Sequence, residues 1–235
     1  MLDFNRFEVL SFDCYGTLVD WEKGILGALQ PVFKAHNTSL SDEETLELYA
    51  DLEPRAQKEG QYVKYKEVLR KVVRQFGNRL GFMPSESELN CLASSLKDWL
   101  PFPDTVPALK RLKQNFRLAV ISNIDDDLFA FSAKRLQVEF DWVITAEQAK
   151  SYKPSRRIFE YAMQRIGCSP ERILHIAQSV YHDIIPAKAM GLSAIWVNRR
   201  KGQGDFGATR PASCDSDLEV PDLKSLVLYT GLEPH

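Results

Sequence analysis

The sequence predicts an α/β protein built on a doubly wound parallel sheet, with a helical segment inserted after the first strand. Two observations carry this. Five short apolar runs alternate with segments of helical period, and the alternation breaks once, between residues 21 and 99. Short runs rich in β-branched residues suit parallel strands covered on both faces, and strand alternating with helix defines the class.

The strands are expected around residues 8–13, 117–122, 142–145, 173–177 and 193–197. Helical patterns fall near 105–115, 126–136, 155–166 and 183–190. Ser169 and Pro170 read as the N-cap and first residue of a helix, and Gly167 and Gly191 stand where helices should stop. From 21 to 99 the chain reads as helical. Phe33, Leu46, Tyr49, Tyr65, Val68, Leu69, Val72 and Phe76 recur at intervals near three and four. Ser41 with Glu44, and Ser85 with Glu88, fit capping boxes. The domain expectation is a core of residues 1–20 and 100–235 with an insert of 21–99, whose two crossings near 18–22 and 98–104 are candidate hinges. Residues 199–216 are polar and glycine-containing, and read as a loop.

Composition excludes several functions. The chain has 235 residues, 44% hydrophobic and 26% charged, with a net charge of -2. That balance argues against nucleic acid or an anionic membrane as the main partner. No apolar run approaches the roughly 18 residues that span a bilayer. The first residues lack signal-peptide character, so a cytoplasmic location is expected. The four cysteines, Cys14, Cys91, Cys168 and Cys214, are widely spaced and form no CxxC, which supports neither a zinc site nor a disulfide framework. The histidines form no metal-binding pattern.

The chemistry-bearing residues stand at predicted strand ends, where open α/β sheets bind ligands. Asp13 follows the first strand on a glycine-containing turn; Ser122 and Asn123 end the second. Lys153 precedes Pro154, which disfavours helical geometry at the lysine and leaves it before the next helix. Ser179, His182 and Asp183 follow the fourth strand. Each alone also reads as a turn, cap or surface residue. Together they place an aspartate, a serine, a lysine and a second aspartate beyond the C-terminal ends of successive strands.

In this set the sequence resembles the haloacid dehalogenase superfamily of hydrolases, and most closely its type II 2-haloacid dehalogenase branch. The matching segments are DCYGTLVDW at 13–21, PFPDTVPALKRL at 101–112, AVISN at 119–123, SYKPSRRIF at 151–159 and AQSVYHDIIPAKAMGL at 177–192. The resemblance implies a Rossmann-like core with a helical cap inserted after the first strand. It implies Asp13 as nucleophile, Lys153 and Ser122 as its electrostatic partners, and Asp183 as the last acid. Thr17 and Ser122 would then hold the carboxylate of a small anionic substrate or the nucleophile, and Asn123, Tyr15, Ser179 and His182 would contact that substrate. The cap should supply an arginine for the halide, and Arg55 is the candidate. A monomer or homodimer is expected.

The branch is chosen at Tyr15. Phosphatases of the superfamily carry a second aspartate there, which protonates a leaving alkoxide. Halide leaves without a proton, so the tyrosine favours carbon–halogen cleavage by an aspartyl ester that water then hydrolyses to a 2-hydroxy acid. No cofactor is expected on that reading. A Mg²⁺-dependent phosphatase acting on a small phosphate ester, or a weakly active binding or regulatory member, is the alternative. Gln178, Val180 and Phe159 depart from the serine, asparagine and tyrosine of the branch pattern; His182 could take over as base, or be a packed or solvated histidine at a helix start.

Overall fold

A computed structural model describes residues 2–58, 61–202 and 207–232. Its centre is a six-stranded parallel sheet in the order β3-β2-β1-β4-β5-β6. The strands are β1 (Val9–Phe12), β2 (Arg117–Ser122), β3 (Trp142–Thr145), β4 (Ile173–Ala177), β5 (Ser193–Val197) and β6 (Leu218–Val220). The five anticipated strands are present. The sixth, three residues long, is an addition, as is the closing helix Leu223–Tyr229.

Burial follows the two-residue period of the strands. Leu10, Phe12, Leu118, Val120, Leu174 and Ile176 join one apolar cluster. Val9, Ala119, Ile121, Ile173 and Ala177 join another. The first face is covered by α6 (Thr105–Leu112), α7 (Asp126–Leu136) and α11 (Leu223–Tyr229), through Leu109, Leu128, Phe129 and Leu226. The second is covered by α8 (Ala146–Ala149), α9 (Arg156–Ile166) and α10 (Ile185–Ala189), through Ala149, Ile158, Phe159 and Ala187. Strand β1 lies between β2 and β4, so the connections leave it in opposite directions and open a crevice at its C-terminal end.

Two helix signals resolve differently from the expectation. Ser169 and Pro170 open only a three-residue 3₁₀ turn, Pro170–Arg172, that leads straight into β4. The helix expected from 183 begins as a π turn over Val180–Ile184 and becomes α-helical only at Ile185. Gly167 and Gly191 do close helices, in left-handed geometry.

Between β1 and β2 the chain forms α1 (Trp21–Ala35), α2 (Asp42–Lys58), α3 (Tyr65–Leu80), α4 (Glu86–Leu89) and α5 (Cys91–Ser95). Both capping boxes form: Ser41 Oγ accepts from Glu44 N while Glu44 accepts from Ser41 N, and Ser85 and Glu88 do the same. Trp99 packs so closely on α1 that a Cβ at Gly24 would lie 2.4 Å from its ring. The two crossings are joined. Asp20 N donates to Leu100 O at 2.9 Å and Phe102 N to Leu18 O at 3.1 Å, with Val19 bridged antiparallel to Pro101.

The helical segment is also fastened to the sheet layer at its far side. Asp125, ahead of α7, accepts from the backbone N–H groups of Tyr65 (2.8 Å) and Lys66 (3.0 Å), and so caps α3 rather than its own helix. Tyr152 donates to Val63 O at 2.8 Å, and Lys64 pairs with Glu147 at 2.7 Å. Among the described residues no helix is long and apolar enough to cross a membrane.

Candidate active site

The turn after β1 presents Asp13 to the crevice. Gly16 makes that turn possible: its φ is +94°, and a Cβ would lie 2.9 Å from Trp21 Nε1. Asp13 Oδ1 accepts from Lys153 Nζ at 2.7 Å, and Oδ2 accepts from Thr17 Oγ1 at 2.7 Å. Thr17 Oγ1 accepts in turn from Gln178 N at 2.9 Å. Thr17 therefore orients the aspartate rather than a substrate.

Lys153 is 2% exposed and uses all three of its protons. They go to Asp13 Oδ1, to Asp183 Oδ1 at 2.7 Å and to Ile121 O at 3.0 Å. Burial opposes its charge, but the two carboxylates outweigh it and hold the ammonium above its ordinary pKa. Burial raises the Asp13 carboxyl, against the pull of Lys153 and with the push of Asp183. Asp183 is also buried, yet Lys153 and His175 hold it below the usual carboxylate range. The asymmetry follows from donors: Asp183 has two cationic or ring N–H partners on one oxygen.

Asn123 takes part differently from the expectation. Its Oδ1 accepts from Lys153 N at 2.7 Å and its Nδ2 donates to Lys153 O at 3.1 Å, so the amide is spent holding the lysine backbone. The Tyr15 ring lines the cavity with its edge towards Trp99, but its hydroxyl is committed to Ser132 Oγ at 2.8 Å. Ser179 Oγ accepts from His182 N at 3.0 Å and meets His182 Nδ1 at 3.1 Å. Burial lowers the His182 pKa to about 4, so the imidazole is neutral at physiological pH and a weak base for water. Cys14 is fully buried, and burial drives its thiol pKa well up, which makes it inert.

Arg55 does not join the site. It is 63% exposed and pairs with Asp51 at 2.7 Å on the outer face of α2. The helix turns about 100° per residue, so Arg55 and Glu53 point nearly opposite ways. Glu53 is the one that faces inward.

The cavity has a volume of about 40 Å³ and is lined by the strand-end residues Asp13, Ser122, Lys153 and Asp183, with Glu53 and Tyr65 on the helical side. Ser122 Oγ, Asp183 Oδ2 and His182 Nε2 are buried there without hydrogen-bond partners among the described residues. Buried polar atoms are normally paired, so three orphans in one cavity mark a place for a polar ligand.

Sequence reasoning missed the support behind this set. His175, inside β4, donates from Nε2 towards Asp183 Oδ1 at 2.9 Å, and its Nδ1 meets Ser11 Oγ on β1 at 2.9 Å. Ser11 and His175 are register partners in adjacent strands. Phe159, where the branch has a tyrosine, packs its ring edgewise on His175 at 5.4 Å between centroids. A histidine amid the apolar residues of β4 was the one available signal.

A buried aspartate held by a lysine and a hydroxyl at the end of β1, backed by a second carboxylate from the end of β4, defines a hydrolase with a carboxylate nucleophile as its class. The family model of the haloacid dehalogenase-like hydrolases matches residues 7–191, and the chain belongs to that family. It is 28% identical over 228 residues to haloacetate dehalogenase H-2 of a Moraxella species, covering 94% of this chain and 97% of that protein. A glyceraldehyde 3-phosphate phosphatase of Methanothermobacter thermautotrophicus is 41% identical over 101 residues, which is 42% of this chain and 45% of that one. The fold matches the crystal structure of a defluorinating L-2-haloacid dehalogenase with a TM-score of 0.80 at 21% identity, covering 96% and 95% of the two chains.

Proposed function

We propose that the protein is a metal-independent 2-haloacid dehalogenase acting on a short anionic haloacid. The observation that carries the reading is the pairing of Asp13 with Lys153 and Thr17 while the Tyr15 hydroxyl is turned away to Ser132. The hydroxyl at the position that would deliver a proton to an alkoxide is thus engaged with Ser132 rather than offered to the substrate. The full-length likeness to a haloacetate dehalogenase supports the same reading.

Asp13 attacks the halogen-bearing carbon, and the carbon–halogen electron pair leaves with the halide. The Lys153 ammonium keeps the nucleophile ionised in a buried site. Ser122 Oγ, which has no hydrogen-bond partner among the described residues, binds the substrate carboxylate. Water, held by the Asp183 Oδ2 that has no partner among the described residues, then attacks the ester carbonyl of Asp13. The acyl C–O bond breaks, one water proton goes to the departing alkoxide oxygen and the other to solvent, and the 2-hydroxy acid leaves with Asp13 restored as a carboxylate. A volume of about 40 Å³ corresponds to roughly three waters, which favours two- or three-carbon acids. The helices between residues 21 and 99 serve as the cap that selects substrate. Mg²⁺ is a poor fit: both Asp13 oxygens already accept hydrogen bonds, Asp183 offers one free oxygen, and the described residues bring no three acidic, histidine or cysteine side chains together for a metal.

The test is halide release from 2-chloropropionate and chloroacetate in EDTA, alongside phosphate release from simple esters with Mg²⁺. In a single turnover in ¹⁸O-water, the heavy oxygen should appear in the Asp13 peptide and not in the product. Label in the first product, or activity confined to phosphate esters with Mg²⁺, overturns the reading.

A further inference from the structure

The helical wall of the cavity carries an acid that the strand-end set does not require. Glu53 of α2 lines the cavity with Trp21 of α1 and Tyr65 of α3, and is 6% exposed. Gln57, one turn on, donates its side-chain N–H to Glu53 Oε1, while the Tyr65 hydroxyl meets Tyr49 OH at 3.2 Å. The cations that bear on it are engaged elsewhere. Lys153 pairs with Asp13 and Asp183, and Arg210 lies 3.9 Å from Asp51. A carboxyl buried without a partner cation favours its neutral form.

Displacement in line with Asp13 places the leaving group on the far side of the attacked carbon. Asp13 stands on the strand-end side of the cavity and Trp21, Glu53 and Tyr65 on the helical side, so an attack from the strand ends would direct the leaving group towards the helical wall. Arg55 faces away from it, so α2 offers the departing halide an acid and no guanidinium. We propose that the Glu53 carboxyl, in its O–H form, donates a hydrogen bond to the leaving halide and so favours substrates with the most concentrated leaving charge, fluoride above all. The inference rests on the dehalogenase reading and specifies its leaving-group site. In the step, an Asp13 oxygen bonds to carbon, the carbon–fluorine pair goes to fluoride, and Glu53 keeps its proton while donating the hydrogen bond.

The ionised form of Glu53 would repel both the substrate carboxylate and the halide. Burial pushes its pKa up to about 7, against the pull of Tyr65, Arg210, Gln57 and Lys153. The other groups that face it do not titrate nearby. Tyr49, Tyr65 and Tyr152 are raised by burial, and His182 is already neutral. Across the cavity Asp13 is the nucleophile, and it must be ionised throughout.

The experiment measures kcat/KM for halide release from fluoroacetate, chloroacetate and bromoacetate by wild type, Glu53→Leu and Glu53→Gln, each from pH 5.5 to 9. Glu53→Leu should slow fluoroacetate about 10- to 100-fold more than bromoacetate, the range expected for one hydrogen bond to a charged group. Glu53→Gln keeps an N–H donor, so it should retain most of the fluoroacetate rate while losing the wild-type decline above pH 7. Should the leucine variant fail to fold, the glutamine pH profile decides alone. Equal slowing of all three halides, or a glutamine variant that keeps the decline, overturns the assignment of Glu53 and leaves the dehalogenase reading standing. Wild type that releases no halide from any of the three overturns both.

Discussion

Replacing Lys153 with methionine removes a cation from between two carboxylates and keeps the stem. Three hydrogen bonds disappear, to Asp13, Asp183 and Ile121 O, at a residue 2% exposed. Breaking a buried ion pair by deleting one partner costs about 3–5 kcal/mol, because the other charge stays desolvated. Here two charges of the same sign are left facing each other, so the cost at pH 8 should reach the upper part of that range. The carboxylates can relieve it by taking up a proton. Their folded pKa values then lie above the unfolded value, the folded state binds more protons, and stability falls as pH rises. In the wild type Asp183 has the opposite sign: it is depressed, and its contribution is lost only as pH falls through its folded pKa. Asp13 already contributes some decline with rising pH, being raised, and losing Lys153 steepens it. Urea unfolding followed by tryptophan fluorescence at pH 5, 6.5 and 8 measures the gap. It should narrow from about 4–5 kcal/mol at pH 8 by at least ~1.4 kcal/mol, one pKa unit's worth, at pH 5. A gap below 1 kcal/mol at pH 8, or one that does not change with pH, would refute the account of Lys153 as the counter-ion of both acids.

Asp13→Asn should leave the unfolding midpoint near wild type or above it and reduce halide release more than about a hundredfold, since an amide is a poor nucleophile; more residual activity removes Asp13 from that role. Asp125→Ala removes the cap of α3 and should cost about 1–2 kcal/mol, with faster amide exchange at Tyr65 and Lys66 as its local signature. Arg55→Ala should change stability by less than about 0.5 kcal/mol and kcat/KM by less than about twofold, because its partner Asp51 is itself solvent-exposed.

The strand ends were legible because parallel strands between two apolar faces leave few alternatives for a polar residue. Asp13, Ser122, Lys153 and Asp183 interrupt or follow apolar runs, and the sheet brings all four to one crevice. The helical segment is harder to read. In Glu53-Pro54-Arg55 the charges look alike as surface residues, and only the rotation of α2 against the sheet decides which enters the cavity. Asp125 has the sequence position of a local cap, yet its carboxylate serves a helix about sixty residues earlier in the chain. Thr17 holds the Asp13 carboxylate, one of the two roles expected of it, whereas the Asn123 amide, expected at the substrate, goes to the Lys153 backbone. His175 shows the remaining gap, since a histidine in a strand is identical on paper whether it supports a carboxylate or fills space. Strand β6 and helix α11 follow a polar stretch and are too short to establish a period.

The joined crossings bear on how such a protein can diversify. Asp20 and Leu100 are hydrogen-bonded neighbours, so the chain departs from the sheet and returns to it at one spot, roughly 5 Å across. A different set of helices can be spliced in at those two positions without moving β1, β2 or the turn that carries Asp13. Three further points tie the insert to the sheet layer: two backbone N–H groups for Asp125, a carbonyl for the Tyr152 hydroxyl and a cation for Glu147. The reacting groups on the strand ends and the helical wall that carries Glu53 thus lie on separately exchangeable stretches of sequence. Recombination between distant relatives at residues 20 and 100 can change what the protein accepts while conserving the nucleophile that attacks it.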